Sequence, residues 1–178
     1  MSRFVLDSAV TMAWCFSDEA TAYTEGFLNR LSAVADTAVV PALWLYEIVN
    51  VVALAARKGR ITQPHATQFL QSLTDLPIEV DYPSSALLFK AAPPLAEQHR
   101  LTGYDAAYLE LALRLGLPLA TLDQELIQSI QGRWRDRAIK LTHASDESCA
   151  ITTPCPKPLA PFLFARLFKF RGGSRGAA

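Results

Sequence analysis

The chain has 178 residues, of which 51% are hydrophobic and 19% are charged. This composition excludes a disordered, highly charged protein and is sufficient to build the core of one domain with an extension. The formal net charge is zero, but residues 1–130 carry 8 basic and 14 acidic side chains, whereas residues 131–178 carry 9 and 3. The acidic first part disfavours a general nucleic-acid-binding protein, unless its carboxylates are neutralised locally.

Short apolar runs alternate with helical patterns over the first 142 residues. Strands are predicted at residues 4–6, 38–40, 77–81, 119–122 and 138–142. Helices are predicted at about residues 19–33, 42–58, 62–74, 84–98 and 102–115, and another is predicted to begin at residue 124. Pro93 and Pro94 are expected to weaken the fourth of these helices. The alternation predicts an α/β domain with a mainly parallel sheet.

The regular pattern ends after Thr142, which divides the chain into a domain at residues 1–142 and an extension at residues 143–178. Residues 143–161 are rich in Ser, Thr, Cys and Pro, and residues 171–176 have the composition of a disordered tail. Residues 162–170 mix aromatic and basic side chains, which is compatible with an amphipathic surface helix, an RNA-contacting arm or a membrane-interface element. A loosely packed, partly disordered extension is favoured, because the segment is short.

The cysteines and the apolar runs bear on the cellular compartment. Cys15, Cys149 and Cys155 are odd in number and irregularly spaced, which argues against a disulfide framework. No apolar run is long enough to span a bilayer. No secretory signal is expected, because Asp7 interrupts the apolar start of the chain. The expected location is the reducing cytoplasm.

One predicted helix is almost entirely apolar. Residues 42–56 are apolar or aromatic except for Glu47 and Asn50, which are three residues apart and therefore share a face. A helix that is apolar all round is expected to be largely buried. A buried carboxylate is costly unless it is paired or binds a metal ion. Glu47 is therefore expected either to pair with a buried Arg or to belong to a metal site.

The helix predicted at residues 102–115 also has a carboxylate away from its charged face. Glu110 and Arg114 are four residues apart and predict an ordinary exposed ion pair. Asp105 lies on the other side of the helix and is expected to point towards the core. A structural role is the alternative, because Thr102 and Asp105 have the spacing of a capping box.

Asp7 and Asp123 each follow a predicted parallel strand. Ligands of open α/β sheets bind beyond the carboxyl ends of the strands, where the strand order reverses, so Glu47 and Asp105 are expected to converge there with these two. A like-charge pair at about 4 Å costs on the order of 4 kcal/mol at an effective dielectric near 20, so the cluster needs protons or a divalent cation. Oxygen ligands favour Mg²⁺ or Mn²⁺ over zinc. Alternatively, both aspartates cap helices or form turns.

Four segments contain these acids and define an ordered set of motifs. They are Phe4-Val5-Leu6-Asp7-Ser8-Ala9-Val10, Glu47-Ile48-Val49-Asn50, Leu101-Thr102-Gly103-Tyr104-Asp105-Ala106-Ala107-Tyr108-Leu109 and Ala120-Thr121-Leu122-Asp123. In this order and spacing they resemble the PIN-domain nucleases, and most closely the VapC-like ribonuclease toxins of type II toxin–antitoxin systems. The resemblance covers about residues 1–142.

The resemblance implies a three-layer PIN-like fold, in which helices flank a parallel five-stranded sheet in the order 3-2-1-4-5. It also implies RNA cleavage with one or two Mg²⁺ or Mn²⁺ ions, an antitoxin that masks the groove, and a homodimer. The family's site maps onto six residues: Asp7, Glu47, Asn50, Asp105, Thr121 and Asp123. The three aspartates would bind the metal directly or through water, and Glu47 would bind it or orient the attacking water. Asn50 and Thr121 would orient those groups.

Other functions fit the motifs less well or remain open. A PIN-like module that is catalytically weak or inactive would act mainly by binding its antitoxin. An aspartyl-phosphate phosphatase needs a second Asp two residues after the first, where this chain has Ala9. A phospho-receiver domain needs paired acids at the end of the first strand and a Lys after the last, but Lys140 lies within the last predicted strand.

Overall fold

The computed structural model of the chain describes residues 1–131 and 141–142. The strands are β1 Ser2–Leu6, β2 Asp36–Pro41, β3 Ile78–Asp81, β4 Leu119–Ala120 and β5 Leu141–Thr142. The helices are α1 Ser8–Cys15, α2 Ala22–Ser32, α3 Leu43–Arg57, α4 Gln63–Thr74, α5 Ser85–His99, α6 Gly103–Leu115 and α7 Gln124–Gln131. The predicted extension at residues 143–178 lies outside the described residues, so its boundary and its character stay predictions.

The five strands form one parallel sheet in the order β3-β2-β1-β4-β5. This confirms the expected α/β fold and the expected strand order. The order reverses beside β1, where Val5 pairs with Val39 of β2 on one side and with Leu119 of β4 on the other. A crevice for ligands is therefore expected beyond the carboxyl ends of β1 and β4.

The centre of the sheet is apolar because helices cover it. Val5, Leu6, Ala38, Val40 and Leu119 have no measurable solvent exposure. Short strands of this kind are near-continuous apolar runs because both faces of a parallel sheet are covered. This explains why the sequence pattern located them.

Helix α1 is a correction to the sequence-based prediction, which left residues 8–15 without an element. Its first turn is capped by Asp7, whose side chain accepts a hydrogen bond from the Ala9 amide. Six of its eight residues are buried, so the segment has little of the polar–apolar alternation that marks an amphipathic helix. The next helix, α2, begins three residues later than predicted because Thr21 and Thr24 form a capping box.

Helix α5 continues through Pro93 and Pro94, which sequence analysis expected to weaken it. A proline removes one backbone donor and frees a carbonyl four residues earlier. Both prolines are exposed. On that face of the helix, water can solvate the freed carbonyls, so the helix persists to His99.

Helix α3 contradicts the expectation of burial on all sides. Its buried face consists of Trp44, Ile48, Val52 and Ala55, at the spacing of one helical stripe. The opposite side exposes large apolar side chains, among them Tyr46 at 78%. Composition alone did not distinguish a core helix from one that keeps an apolar face towards solvent.

The Glu110–Arg114 ion pair of α6 forms as predicted, but it is not an ordinary exposed pair. Glu110 is buried, and Arg114 also binds Asp81 at the end of β3, with 2.6 Å between the guanidinium nitrogen and the carboxylate oxygen. The α6 residues from Ala106 to Ala112 are all buried. The whole middle of this helix is therefore in the core, and its polar face is covered as well. In the part of the chain that the structure describes, no helix combines the length and apolarity needed to cross a membrane.

Candidate active site

Asp7 lies directly after β1 and is buried at the point where the strand order reverses. Its Oδ1 accepts hydrogen bonds from the Ala9 amide and the Ser8 hydroxyl, both at 3.3 Å, and its Oδ2 accepts one from the Thr121 hydroxyl at 2.5 Å. Burial is the main reason that the pKa of Asp7 is raised to about 6, and the Thr121 bond opposes that rise. The carboxylate thus caps α1 at the point where a ligand crevice is expected.

Thr121 connects two of the predicted acids. Its hydroxyl donates to Asp7 and accepts a hydrogen bond from the Asp123 amide at 3.0 Å. The Asp123 carboxylate accepts bonds from the amides of Glu125 and Leu126 at 2.7 and 3.1 Å, and so caps the first turn of α7. The threonine hydroxyl therefore fixes the end of β4 relative to the end of β1.

Glu47 reaches the same region from α3. Its Oε2 accepts a hydrogen bond from the Tyr108 hydroxyl at 2.5 Å, and the nearby Ser8 hydroxyl helps to lower its pKa. The pKa of Glu47 is raised to about 7, mainly by burial, and the charges of Asp7 and Asp105 add to the rise. The group therefore exchanges its proton near neutral pH.

The position of α3 is fixed by a second set of buried contacts. The Trp44 indole donates to the Thr11 hydroxyl at 3.2 Å, and that hydroxyl donates to the backbone carbonyl of Asp7 at 3.3 Å. Trp44 lies one turn before Glu47. These bonds join α3 to the start of α1 and so hold Glu47 close to Asp7.

Asp105 forms the predicted capping box at the start of α6. Its Oδ2 accepts hydrogen bonds from the Thr102 hydroxyl at 2.6 Å and the Thr102 amide at 3.3 Å. Burial raises the pKa of this half-buried carboxyl group, and the charge of Asp123 adds to the rise. Asp105 therefore has the capping role that was the alternative to a site role, and its carboxylate also interacts with the charge of Asp123.

The four acids interact electrostatically, and together they are named the carboxylate cluster (Asp7, Glu47, Asp105 and Asp123). The charges of Asp123 and Asp105 each raise the pKa of Asp7, and the charges of Asp7 and Asp105 each raise that of Glu47. Acids separated by up to 116 positions of sequence therefore lie near one another. Helix capping and clustering occur together, because the caps of α1, α6 and α7 all lie at this edge of the sheet.

Asn50 is not brought into these contacts. Its side chain is exposed one turn after Glu47, and it forms no hydrogen bond with the residues that the structure describes. Two residues that sequence reasoning did not single out, Ser8 and Tyr108, instead contact the cluster. Tyr108 is three residues after Asp105 and so shares its helix face, which is the signal that could have identified it.

The carboxylate cluster suits a divalent cation in its chemistry. Among the described residues, no three His, Cys, Asp or Glu side chains are grouped so that they could hold a metal ion as they stand. The donors are nevertheless all oxygens, which Mg²⁺ and Mn²⁺ prefer. Burial, with a smaller effect of the neighbouring carboxylates, raises the pKa of Asp7 to about 6 and that of Glu47 to about 7, so negative charge is unfavourable there. A bound cation would compensate it.

The family comparison covers the part of the chain that contains the candidate site. The chain matches the PIN domain family over residues 4–130, which includes all six residues predicted for the site. It is 36% identical over 83 residues to Ribonuclease VapC3 of Pyrobaculum aerophilum, and the match covers 47% of this chain and 63% of that protein. The chain thus spans less than two thirds of the length of this relative.

Two solved structures share the fold. A protein from Pyrobaculum aerophilum is 23% identical with a TM-score of 0.55, and the match covers 72% of this chain and 86% of that one. VapBC2 from Rickettsia felis, bound to a DNA fragment from its promoter, is 14% identical with a TM-score of 0.52 and coverage of 71% and 92%. At these identities the likeness extends to the architecture alone.

Proposed function

This chain belongs to the PIN domain family, and from that premise we propose that it is a metal-dependent endoribonuclease that hydrolyses RNA phosphodiester bonds. The observation that supports this most strongly is the carboxylate cluster, where burial raises the pKa values of Asp7, Glu47 and Asp105 and the charges of neighbouring acids add to each rise. The name of the VapC3 relative supports RNA as the substrate. The acidic character of residues 1–130 is compatible with RNA binding if cations neutralise the cluster.

The proposed roles follow from the contacts. Asp7, Asp105 and Asp123 would hold Mg²⁺ or Mn²⁺ directly or through water. When bound, such an ion lowers the pKa of water and compensates charge on the phosphate. Glu47 has a pKa of about 7, so its carboxylate is suited to orient a water molecule and accept its proton near neutral pH. Thr121 keeps Asp7 oriented through its hydroxyl bond.

The role proposed for Asn50 is weaker than the others. Its side chain is exposed and available to contact substrate, but it orients no carboxylate among the described residues. Asn50 remains a predicted site residue, because it lies one turn from Glu47 on the same helix.

We further propose that the protein is the toxin of a toxin–antitoxin module and that it acts in the cytoplasm as a homodimer controlled by an antitoxin. The VapC3 and VapBC2 names of its relatives support this assignment. The exposed apolar side of α3, with Leu45, Tyr46 and Val49, is the kind of surface that protein partners cover.

An RNA cleavage assay tests the proposed activity. The wild type is expected to cut RNA with Mn²⁺ or Mg²⁺ and to stop when EDTA is added. Asp7→Asn keeps the size of the side chain and removes its charge, so it should lower cleavage by about 100-fold or more. Asp75→Asn is the matched control, because Asp75 is an exposed carboxylate at the end of α4.

Two results would contradict the proposal. Cleavage that persists in EDTA would show that the reaction needs no metal ion. Full activity of Asp7→Asn would show that the carboxylate cluster is not required for cleavage. A wild type that binds its antitoxin but cuts no RNA with either metal would favour the alternative, an inactive binding module.

A further inference from the structure

A buried hydroxyl on α6 contacts the carboxylate cluster from the core side. The ring of Tyr108 is 2% exposed, and its hydroxyl donates a hydrogen bond of 2.5 Å to Oε2 of Glu47 on α3. Tyr108 lies one turn after Asp105, so α6 presents a candidate metal ligand and this hydroxyl on one face. The bond thus joins two helices that each supply one acid of the cluster.

Ser8 extends this contact to Asp7. Its buried hydroxyl donates a hydrogen bond of 3.3 Å to Oδ1 of Asp7, and it lies close enough to the Glu47 carboxyl group to lower its pKa. Two hydrogen bonds, from Tyr108 to Glu47 and from Ser8 to Asp7, therefore lie next to each other at the cluster. A carboxylate that accepts a hydrogen bond from a buried, fixed donor has less freedom to rotate.

A tyrosine of the core needs a partner for its hydroxyl, and that need alone would explain many buried tyrosines. Here, however, the partner is a carboxylate whose own burial is unfavourable. Hydrogen bonds to a charged acceptor are about twice as strong as neutral ones. The pKa of the Tyr108 hydroxyl is itself raised by burial and by the charges of Asp7 and Glu47, so the hydroxyl stays protonated and remains a donor.

We propose that Tyr108 is a positioning residue for the reaction: its hydroxyl holds the Glu47 carboxylate against Ser8 and next to Asp7, in the orientation needed to direct the attacking water. This inference rests on the proposed nuclease function. It assigns to Tyr108 a role that does not require contact with RNA or metal. Loss of the hydroxyl should then affect turnover rather than substrate binding.

The first test separates turnover from binding. Tyr108→Phe keeps the ring in the core and removes the hydroxyl, and it should lower kcat by about tenfold or more with KM nearly unchanged. The matched control is Leu73→Val, which shortens a buried side chain of α4, a helix that supplies no acid of the cluster. The control should lower the melting temperature without lowering kcat. Equal kcat values for Tyr108→Phe and wild type would overturn the proposal.

A double-mutant cycle tests whether Tyr108 acts through Glu47. In the Glu47→Gln background, Tyr108→Phe should change kcat by less than about twofold, because the oriented carboxylate is already missing. Independent, multiplicative effects of the two substitutions would show that Tyr108 acts by another route, and would overturn the proposal.

A third measurement needs neither RNA nor metal. The ¹³C resonance of the Glu47 carboxyl group is followed against pH in wild type and in Tyr108→Phe. Since the Tyr108 bond lowers the pKa of Glu47, the variant should titrate at higher pH than wild type. An unchanged titration overturns the positioning role even when wild type cuts RNA. A wild type that cuts no RNA refutes the proposed function, and this titration still decides whether the hydroxyl holds Glu47.

Discussion

Asp7→Asn should stabilise the metal-free protein while it abolishes the proposed activity. The pKa of Asp7 is about 6 in the folded protein against an ordinary value of 3.8. At about 1.4 kcal/mol for each tenfold change in proton affinity, ionised Asp7 costs the fold about 3 kcal/mol. The folded state binds this proton more tightly than the unfolded state. Stability is therefore highest below pH 3.8 and is lost as pH rises through 6.

The assay is urea denaturation in EDTA at two pH values. Asparagine does not ionise, so Asp7→Asn does not lose stability as the pH rises. The difference in free energy of unfolding between Asp7→Asn and wild type should therefore grow by about 2 kcal/mol between pH 4.5 and pH 8. Asp75→Asn changes an exposed carboxylate and should show no such growth. An advantage that does not depend on pH, or a wild type that is more stable than Asp7→Asn at pH 8, would refute the assignment of a strained, buried charge at Asp7.

Substitutions at three further positions test local features. Val34 is an exposed β-branched residue at φ 52°, in the left-handed region, so Val34→Gly should raise the free energy of unfolding by about 0.5–1 kcal/mol in urea denaturation. Gly116 ends α6 at φ 64° with open space where a methyl group would lie, so Gly116→Ala should lower it by about 1 kcal/mol through backbone strain alone, and an unchanged value would contradict this. Thr121→Val removes the hydrogen bond that lowers the pKa of Asp7, so the acidic limb of the pH–rate profile should move to higher pH. Thr121→Ser keeps a hydroxyl and should return the acidic limb to its wild-type position. Equal profiles for the two variants would contradict the role of the hydroxyl.

The sequence located the strands because most are short apolar runs bounded by turn or cap residues, although β3 also contains Glu79 and Asp81. The strand β1 ends at Leu6, directly before the charged Asp7. The structure buries its three apolar residues, Phe4, Val5 and Leu6. Helix α1 was missed because its burial on most sides removes the periodicity on which helix prediction depends. The order of the strands came from the family resemblance, since local patterns do not encode which strands pair.

The acids of the site were identifiable because each occupies an unusual position, either at a strand end or in an apolar stretch of helix. Ser8 and Tyr108 were missed because a small or aromatic polar residue in a core is common, and only its partner reveals a role. The exposed side of α3 could not be foreseen for a related reason. An apolar helix surface has the same composition whether the domain's own core or a partner covers it.

Calorimetric titration with Mn²⁺ at pH 6.5, in two buffers of different ionisation enthalpy, tests most directly whether the carboxylate cluster is a cation site. With pKa values of about 6 and 7, Asp7 and Glu47 together hold about one proton at this pH, so binding should release up to about one proton per protein. Asp7→Asn should weaken the binding by at least about tenfold. Mn²⁺ binding without proton release, or with equal affinity in Asp7→Asn, would contradict the account.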